Sequence, residues 1–214
     1  MIGKLRIKIS CINLSMLEIF LINLEHRTDR LKHFENENKN YNLDVSIVNA
    51  IDKKDIDRKD YKIKCYRSLT KGQIACYLSH YKVYEKASTE LTLVLEDDVK
   101  FNPNFKMNLR KVLENAPRDF DVIFLGGTWS WWKRYSNTVG GIENYDNFFY
   151  KVNGDMYGAE CYLITESARE KLIDNKFPIR YPPGDIPLCR NNLNVYCLKD
   201  PIAKQARLGS DTQK

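Results

Sequence analysis

The sequence has no pair of cysteines at C-x-x-C spacing, although it contains six: Cys11, Cys65, Cys76, Cys161, Cys189 and Cys197. That absence excludes a zinc ribbon or a thioredoxin-like redox site, and the scattered thiols are expected to be small buried hydrophobes in reducing surroundings. A glycine-rich phosphate loop is also missing. Glu25-His26-Arg27 occupies the turn where a nucleotidyltransferase would ordinarily carry one. No apolar run is long enough to span a bilayer. Lys4, Arg6 and Lys8 precede an apolar stretch in the manner of a signal peptide, but Asn13, Ser15 and Glu18 interrupt it and no small-x-small cleavage site follows. The expectation is a soluble chain, cytoplasmic rather than lumenal. Histidine is scarce too, with only His26, His33 and His80.

What is present is the composition of a folded domain. The 214 residues are 43% hydrophobic, 29% charged and 12% aromatic, which suffices for one ordinary core and is short for two, so residues 1–214 are expected to form a single domain. Lys and Arg total 34 against 28 Asp and Glu, a net charge of +6 that suits a polyanionic ligand without naming it. Much of the excess lies between Lys53 and Lys71, with Tyr61 and Tyr66 as the only aromatics there and no recognisable motif, so it reads as a solvated face and not as a nucleic-acid module.

Hydrophobic periodicity organises the chain. Leu17 to Leu24 is a nearly continuous apolar run of strand length, Thr28 to Asn38 is helical, and Leu43 to Val48 alternates like a second strand, a βαβ opening. Thr70-Lys-Gly-Gln73 has capping-box spacing, and Ile74, Tyr77, Leu78, Tyr81 and Glu85 mark a helix over about residues 71–87. Leu91 to Leu95 is a buried strand that runs into Glu96-Asp97-Asp98. A helix over Asn104 to Asn115 and strands over 121–125, 148–152, 160–164 and 194–198 follow, with Thr165 capping a helix to about Asn175. This alternation predicts an α/β, Rossmann-like domain whose sheet is mostly parallel and becomes mixed toward the C-terminus, with ligands at the carboxyl ends of strands.

Three adjacent carboxylates at the end of a buried strand repel one another unless a cation answers them, and hard oxygen ligands suit Mg²⁺ or Mn²⁺ shared with substrate phosphates. In extended backbone Glu96 and Asp98 would point the same way, as in a D-x-D pair. A solvated acidic turn is the alternative for this motif taken alone.

Four stretches in order alter that weighting: Phe20-Leu-Ile-Asn-Leu-Glu-His-Arg-Thr-Asp-Arg30, Lys71-Gly-Gln-Ile-Ala-Cys-Tyr-Leu-Ser-His80, Leu93-Val-Leu-Glu-Asp-Asp-Val99 and Gly158-Ala-Glu-Cys-Tyr-Leu-Ile-Thr165. With them the chain resembles glycosyltransferase family 25, the group of bacterial lipooligosaccharide galactosyltransferases and animal procollagen galactosyltransferases, with viral members. Gln73 and Ala75 depart from the acid and glycine that the family often carries there. The resemblance implies a GT-A fold, a UDP-sugar donor, Mn²⁺ or Mg²⁺ at the acidic motif, and inverting transfer of galactose or glucose to a hydroxyl of a glycan or a hydroxylysine-type, collagen-like acceptor. A catalytically inactive adhesion or scaffold module is the alternative it leaves.

On that resemblance Glu96 and Asp98 are the metal ligands, and Asn23, Arg27, Arg30, His80 and Asp97 are the donor-binding residues. Arg27 and Arg30 could equally be a surface pair on the first turns of a helix, and a helical histidine such as His80 is commonly structural. Trp129, Trp131 and Trp132, packed after Gly126-Gly127, are candidates for an acceptor platform, or for a loop folded onto the core. Asp185, in Pro182-Pro-Gly-Asp185, and Asp155, in Asn153-Gly-Asp155, are the candidate catalytic carboxylates. With no histidine after the acidic motif, Asp185 could serve as base or as an additional metal ligand; either aspartate could instead be a turn residue.

Overall fold

The computed structural model describes residues 17–65, 68–126, 141–154, 156, 158–180, 186–189, 191–206 and 208–209. The segments that carry Trp129, Trp131 and Trp132, Asp155 and Asp185 lie outside them. The βαβ opening is present: β1 (Glu18–Asn23), α1 (Thr28–Asn38) and β2 (Ser46–Asn49), with Phe20 opposite Ser46 and Asn23 opposite Asn49 in a parallel pair. Strand β2 starts later than the alternation predicts. The Asn38 side chain accepts from the Leu43 backbone N–H and donates to its carbonyl, at 2.8 and 3.0 Å, so Leu43 spends both backbone groups on a turn instead of a ladder.

Helix α2 (Lys71–Lys86) begins at the expected capping box, in which the Gln73 N–H donates to Thr70 Oγ1 at 3.1 Å and the Thr70 N–H to Gln73 Oε1 at 3.0 Å. Two orphan donors of the first turn are thereby satisfied. Then come β3 (Leu91–Glu96), β4 (Val99–Phe101), α3 (Phe105–Asn115), β5 (Val122–Phe124), β6 (Ile142–Asn144), β7 (Phe149–Val152) and β8 (Cys161–Thr165). Helices α4 (Glu166–Asp174) and α5 (Ile186–Cys189) precede β9 (Val195–Leu198) and β10 (Ala203–Gln205). Among the described residues no helix is long and apolar enough to cross a membrane.

The main sheet has the order β2-β1-β3-β8-β5-β9-β7-β6. Its pairings leave β2, β1, β3, β5, β9 and β6 in one direction, with β8 and β7 running against them. The sheet is mixed with one prevailing direction, as expected, and its first three strands are joined by helix crossovers that parallel pairing requires. A second, two-stranded sheet pairs β10 with β4.

Side-chain alternation along the strands divides the core in two. Phe20, Ile22, Val94, Tyr162 and Ile164 pack on one face under α2 and α4, whereas Ile19, Leu21, Leu93, Leu95 and Leu163 pack on the other with Phe34 of α1 and Phe105 and Leu109 of α3. Each fully buried large side chain adds about 1.5–3 kcal/mol relative to exposure. The result is a three-layer α/β/α arrangement that fixes where the two faces of β3 lead once its apolar run ends at Leu95.

Candidate active site

The strand register stops at Glu96, and Asp97 and Asp98 form the turn into β4. This corrects the expectation that Glu96 and Asp98 project together from extended backbone. At this turn Asp97 and Asp98 leave the period-two alternation of the strand, while all three carboxylates stay on one cavity. Glu96 continues the α2 face of β3. Asp97 goes to the α1 face, where Asn23 Nδ2 donates to its Oδ2 at 2.8 Å and Arg30 Nη1 to its Oδ1 at 2.6 Å. Arg30 Nη1 also lies 3.5 Å from Asp98 Oδ2, and Gln205 Nε2 of β10 donates to that oxygen at 3.0 Å.

Asp98 Oδ1 is buried and has no hydrogen-bond partner. Burial, and after it the negative charge of Glu96, pushes the Asp98 carboxyl up to about 7 against the opposing pull of Arg30 and Gln205. Asp97 is likewise raised by burial, with Arg30 and Asn23 pulling the other way. A hard divalent cation fits this site. It would supply the missing partner of Oδ1 and favour the ionised carboxylates, and an oxygen donor set is the kind Mn²⁺ and Mg²⁺ select.

On the α2 face His80 is almost fully buried, with Nε2 3.1 Å from Glu96 Oε1 and Nδ1 2.8 Å from the Tyr162 hydroxyl, which is in turn 2.8 Å from the Tyr84 hydroxyl. Burial raises both phenols far above their ordinary range, so they stay protonated and serve as hydrogen-bonding hydroxyls. Cys76, one helical turn before His80, completes a set in which thiol, imidazole and carboxylate ligand atoms lie within 4.8 Å of one another.

Around these groups is a cavity of about 250 Å³ at the carboxyl ends of β1, β2 and β3. Its walls include Ile22, Leu24 and Ile51, the polar side chains of Arg30, Asp52, Lys53, Ser79 and Gln205, and the set Cys76, His80, Glu96, Asp97 and Asp98. The structure therefore brings Arg30, His80, Glu96, Asp97 and Asp98 together, as the sequence motifs suggested. Asn23 is not on the wall; it buttresses Asp97 from behind and also donates weakly to the Arg27 carbonyl, at 3.4 Å. Nor does Arg27 line the cavity: it grips Asp29 through two 2.9 Å hydrogen bonds and donates to the Leu208 carbonyl at 3.2 Å.

Asp52 and Gln205 lie outside the four motifs, whereas Tyr162 stands within the fourth and Lys53 opens the basic run without either being singled out as a site residue. Asp52 had a legible signal, a carboxylate just past the end of a parallel strand, where α/β ligands sit. The basic run from Lys53 is in part the cavity wall and not wholly a solvated face. Of the cysteines, Cys161 and Cys197 are the buried hydrophobes expected, whereas Cys65, Cys76 and Cys189 are half-buried, and Cys76 faces the cavity.

A family model described as glycosyltransferase family 25 (LPS biosynthesis protein) matches residues 16–186, a span that contains β1 through β8 and the whole acidic turn. The chain belongs to glycosyltransferase family 25. Its relatives include human procollagen galactosyltransferase 2, 32% identical over 206 residues that cover 87% of this chain and 31% of that protein. The R655 protein of Acanthamoeba polyphaga mimivirus is 34% identical over 122 residues, 52% of this chain and 38% of that one. This family 25 chain spans about a third of the length of these curated relatives. Among solved structures it is similar to a Drosophila β1,4-galactosyltransferase 7 mutant in complex with manganese, UDP-Gal and xylobiose, with a TM-score of 0.44, 11% identity, and coverage of 92% of this chain and 75% of that one.

Proposed function

We propose that this family 25 chain is an inverting, metal-dependent hexosyltransferase that moves galactose or glucose from a UDP-sugar to a hydroxyl of a glycan or collagen-like acceptor. The observation that carries this reading is Asp98: a carboxylate with one buried, partnerless oxygen, at the wall of a cavity at the carboxyl ends of parallel strands. The manganese and UDP-Gal named with the Drosophila relative in shape belong to that protein; here they indicate only which ligands to try first.

In this reading the apolar wall of Ile22, Leu24 and Ile51 receives the nucleoside base, and the Asp52 carboxylate accepts from ribose or base donors. Asp52 is pre-aligned. The Lys54 N–H donates to it at 3.0 Å, and that bond holds its carboxyl below the usual range despite slight burial. The positive charges of Lys53 and Arg30 favour the diphosphate. The cavity volume is somewhat below the roughly 300–1,000 Å³ of typical ligand pockets, room for part of a nucleotide sugar with the rest toward the open side. Asp98 would hold the divalent cation, which when bound would act as a Lewis acid on the departing diphosphate. Asn23 and Arg30 orient Asp97 and shield the turn from collapse by charge repulsion. Removal of the acceptor proton we assign to Asp185, with Asp155 as its competitor, and the acceptor platform to Trp129, Trp131 and Trp132.

Asp98→Asn tests the assignment. It should lower Mn²⁺-dependent turnover of UDP-galactose or UDP-glucose by at least about 100-fold, the scale seen when one preorganised charged group is lost from a transition state, with unchanged circular dichroism. Undiminished turnover in that variant would remove Asp98 from the mechanism.

A further inference from the structure

We infer that Cys76, His80 and Glu96 form a second cation site, selective for a borderline-soft divalent metal of the zinc class and separate from the hard oxygen position at Asp98. The site shares the cavity given above to the donor and takes Glu96 and His80 for this second metal, but its test with metal alone does not depend on the donor reading.

The first support is geometric. Cys76 and His80 are four residues apart on α2 and so stand on one face a turn apart, while Glu96 reaches them from the end of β3. Two ligand atoms bound tetrahedrally to zinc at about 2.0–2.1 Å lie roughly 3.3 Å apart. The 3.1 Å between His80 Nε2 and Glu96 Oε1 is close to that separation without any metal. The Cys76 thiol lies within 4.8 Å of both, so an approach of about 1 Å, within reach of a side-chain torsion, brings sulfur to the roughly 3.6 Å that a Zn–S bond of about 2.3 Å requires.

The second support is the hydrogen bonding behind His80. Zinc-binding histidines donate their other ring N–H to an oxygen that fixes the tautomer. Tyr162 supplies that oxygen at 2.8 Å from Nδ1, and the Tyr84 hydroxyl 2.8 Å further on lets the chain of hydroxyls run in either sense. With Tyr84 donating to Tyr162 and Tyr162 to Nδ1, His80 Nε2–H donates to Glu96. With the two hydroxyls reversed, Nδ1–H donates to Tyr162 and the Nε2 lone pair is turned on the metal position. Conversion between the two releases the Nε2 proton to the cavity water, takes one up at Nδ1 and rotates the two hydroxyls, with no movement of heavy atoms in the network.

The third support is ligand type. Thiolate, imidazole and one carboxylate match zinc or cobalt and poorly match Mn²⁺ or Mg²⁺, whereas Asp98 offers only oxygen. Three protein ligands leave a fourth position, and all three side chains line the cavity, so that position is open to solvent or a small ligand.

The test uses the full 214-residue chain, stripped with a chelator and titrated with Co²⁺ alone. A near-ultraviolet thiolate-to-cobalt charge-transfer band should appear, disappear on addition of Zn²⁺, be absent in Cys76→Ser, and persist in Asp98→Asn. As a measurement that needs no variant, Zn²⁺ should slow iodoacetamide alkylation of Cys76 while leaving the half-buried Cys65 and Cys189 unaffected, and Mn²⁺ should not slow it. Absence of the band in the wild-type chain, its survival in Cys76→Ser, its loss in Asp98→Asn, or unaltered alkylation of Cys76 in Zn²⁺ would each overturn the assignment.

Discussion

On the α1 side of the acidic turn Arg30 sits between Asp97 and Asp98 with Asn23 behind it, whereas on the α2 side Glu96 meets His80, which is backed in turn by Tyr162 and Tyr84, none of them a permanent charge. The first arrangement answers buried negative charge with a guanidinium that cannot give up its proton. The second answers it with groups whose hydrogens can be rearranged. Neighbouring carboxylates in one short motif thus receive opposite treatment, and the reason is the point at which β3 ends: one more extended residue would have left Glu96 on the α2 side and Asp97 on the α1 side but carried Asp98 to the α2 side.

Breaking the charged side should have the larger effect. Arg30→Met keeps the approximate volume and removes the cation, leaving Asp97 and Asp98 buried without it, and should lower the stability of the metal-free chain by about 3–5 kcal/mol in urea denaturation. The pH dependence has a definite sign. The Asp98 carboxyl is raised from an ordinary 3.8 to about 7 by folding, so the folded chain holds a proton that the unfolded chain releases between those values, and stability falls as pH rises through that window. Without Arg30 the carboxyls rise further, and the deficit of the variant should be greater at pH 8 than at pH 5. A deficit below about 1 kcal/mol, the range of exposed ion pairs, would mean that the Arg30 contact is no more than a surface bridge.

The uncharged side should yield less. Tyr162→Phe takes the bridging hydroxyl from both His80 Nδ1 and Tyr84, at an expected cost of about 1–3 kcal/mol for buried groups left without that partner. The same variant should leave the pH profile of stability near that of the wild type, since no carboxylate loses its counter-charge. Equal losses and equal pH profiles for the two variants would erase the distinction between the two sides.

The parts of this molecule that were legible in sequence are those whose signal is local. The Thr70–Gln73 capping box, the continuous apolar run of β1 and the stop of α3 before Pro117 each depend on residues within a few positions, and each reads correctly. Strands β4, β6 and β10 are three residues long, too short to display a period of two, and none was foreseen. The site was legible to the same degree. The motifs named Arg30, His80, Glu96, Asp97 and Asp98, but Tyr162 is 82 residues from His80 and Gln205 is 107 from Asp98, and only the sheet order brings them in. The Cys76–His80 spacing was visible in the sequence, yet its third member comes from another element, so cysteine spacing alone gave no hint of a site.

Isothermal titration of UDP in the presence and absence of Mn²⁺, on wild-type and Asp98→Asn chains, tests the central assignment most directly. If Asp98 holds a cation that the diphosphate shares, Mn²⁺ should tighten UDP binding to the wild type by about tenfold or more, within the usual range of coupling between two sites, and should leave binding to Asp98→Asn unchanged within about twofold. UDP affinity that ignores Mn²⁺ in the wild type, or that responds to it equally in both chains, would contradict the placing of the metal at Asp98.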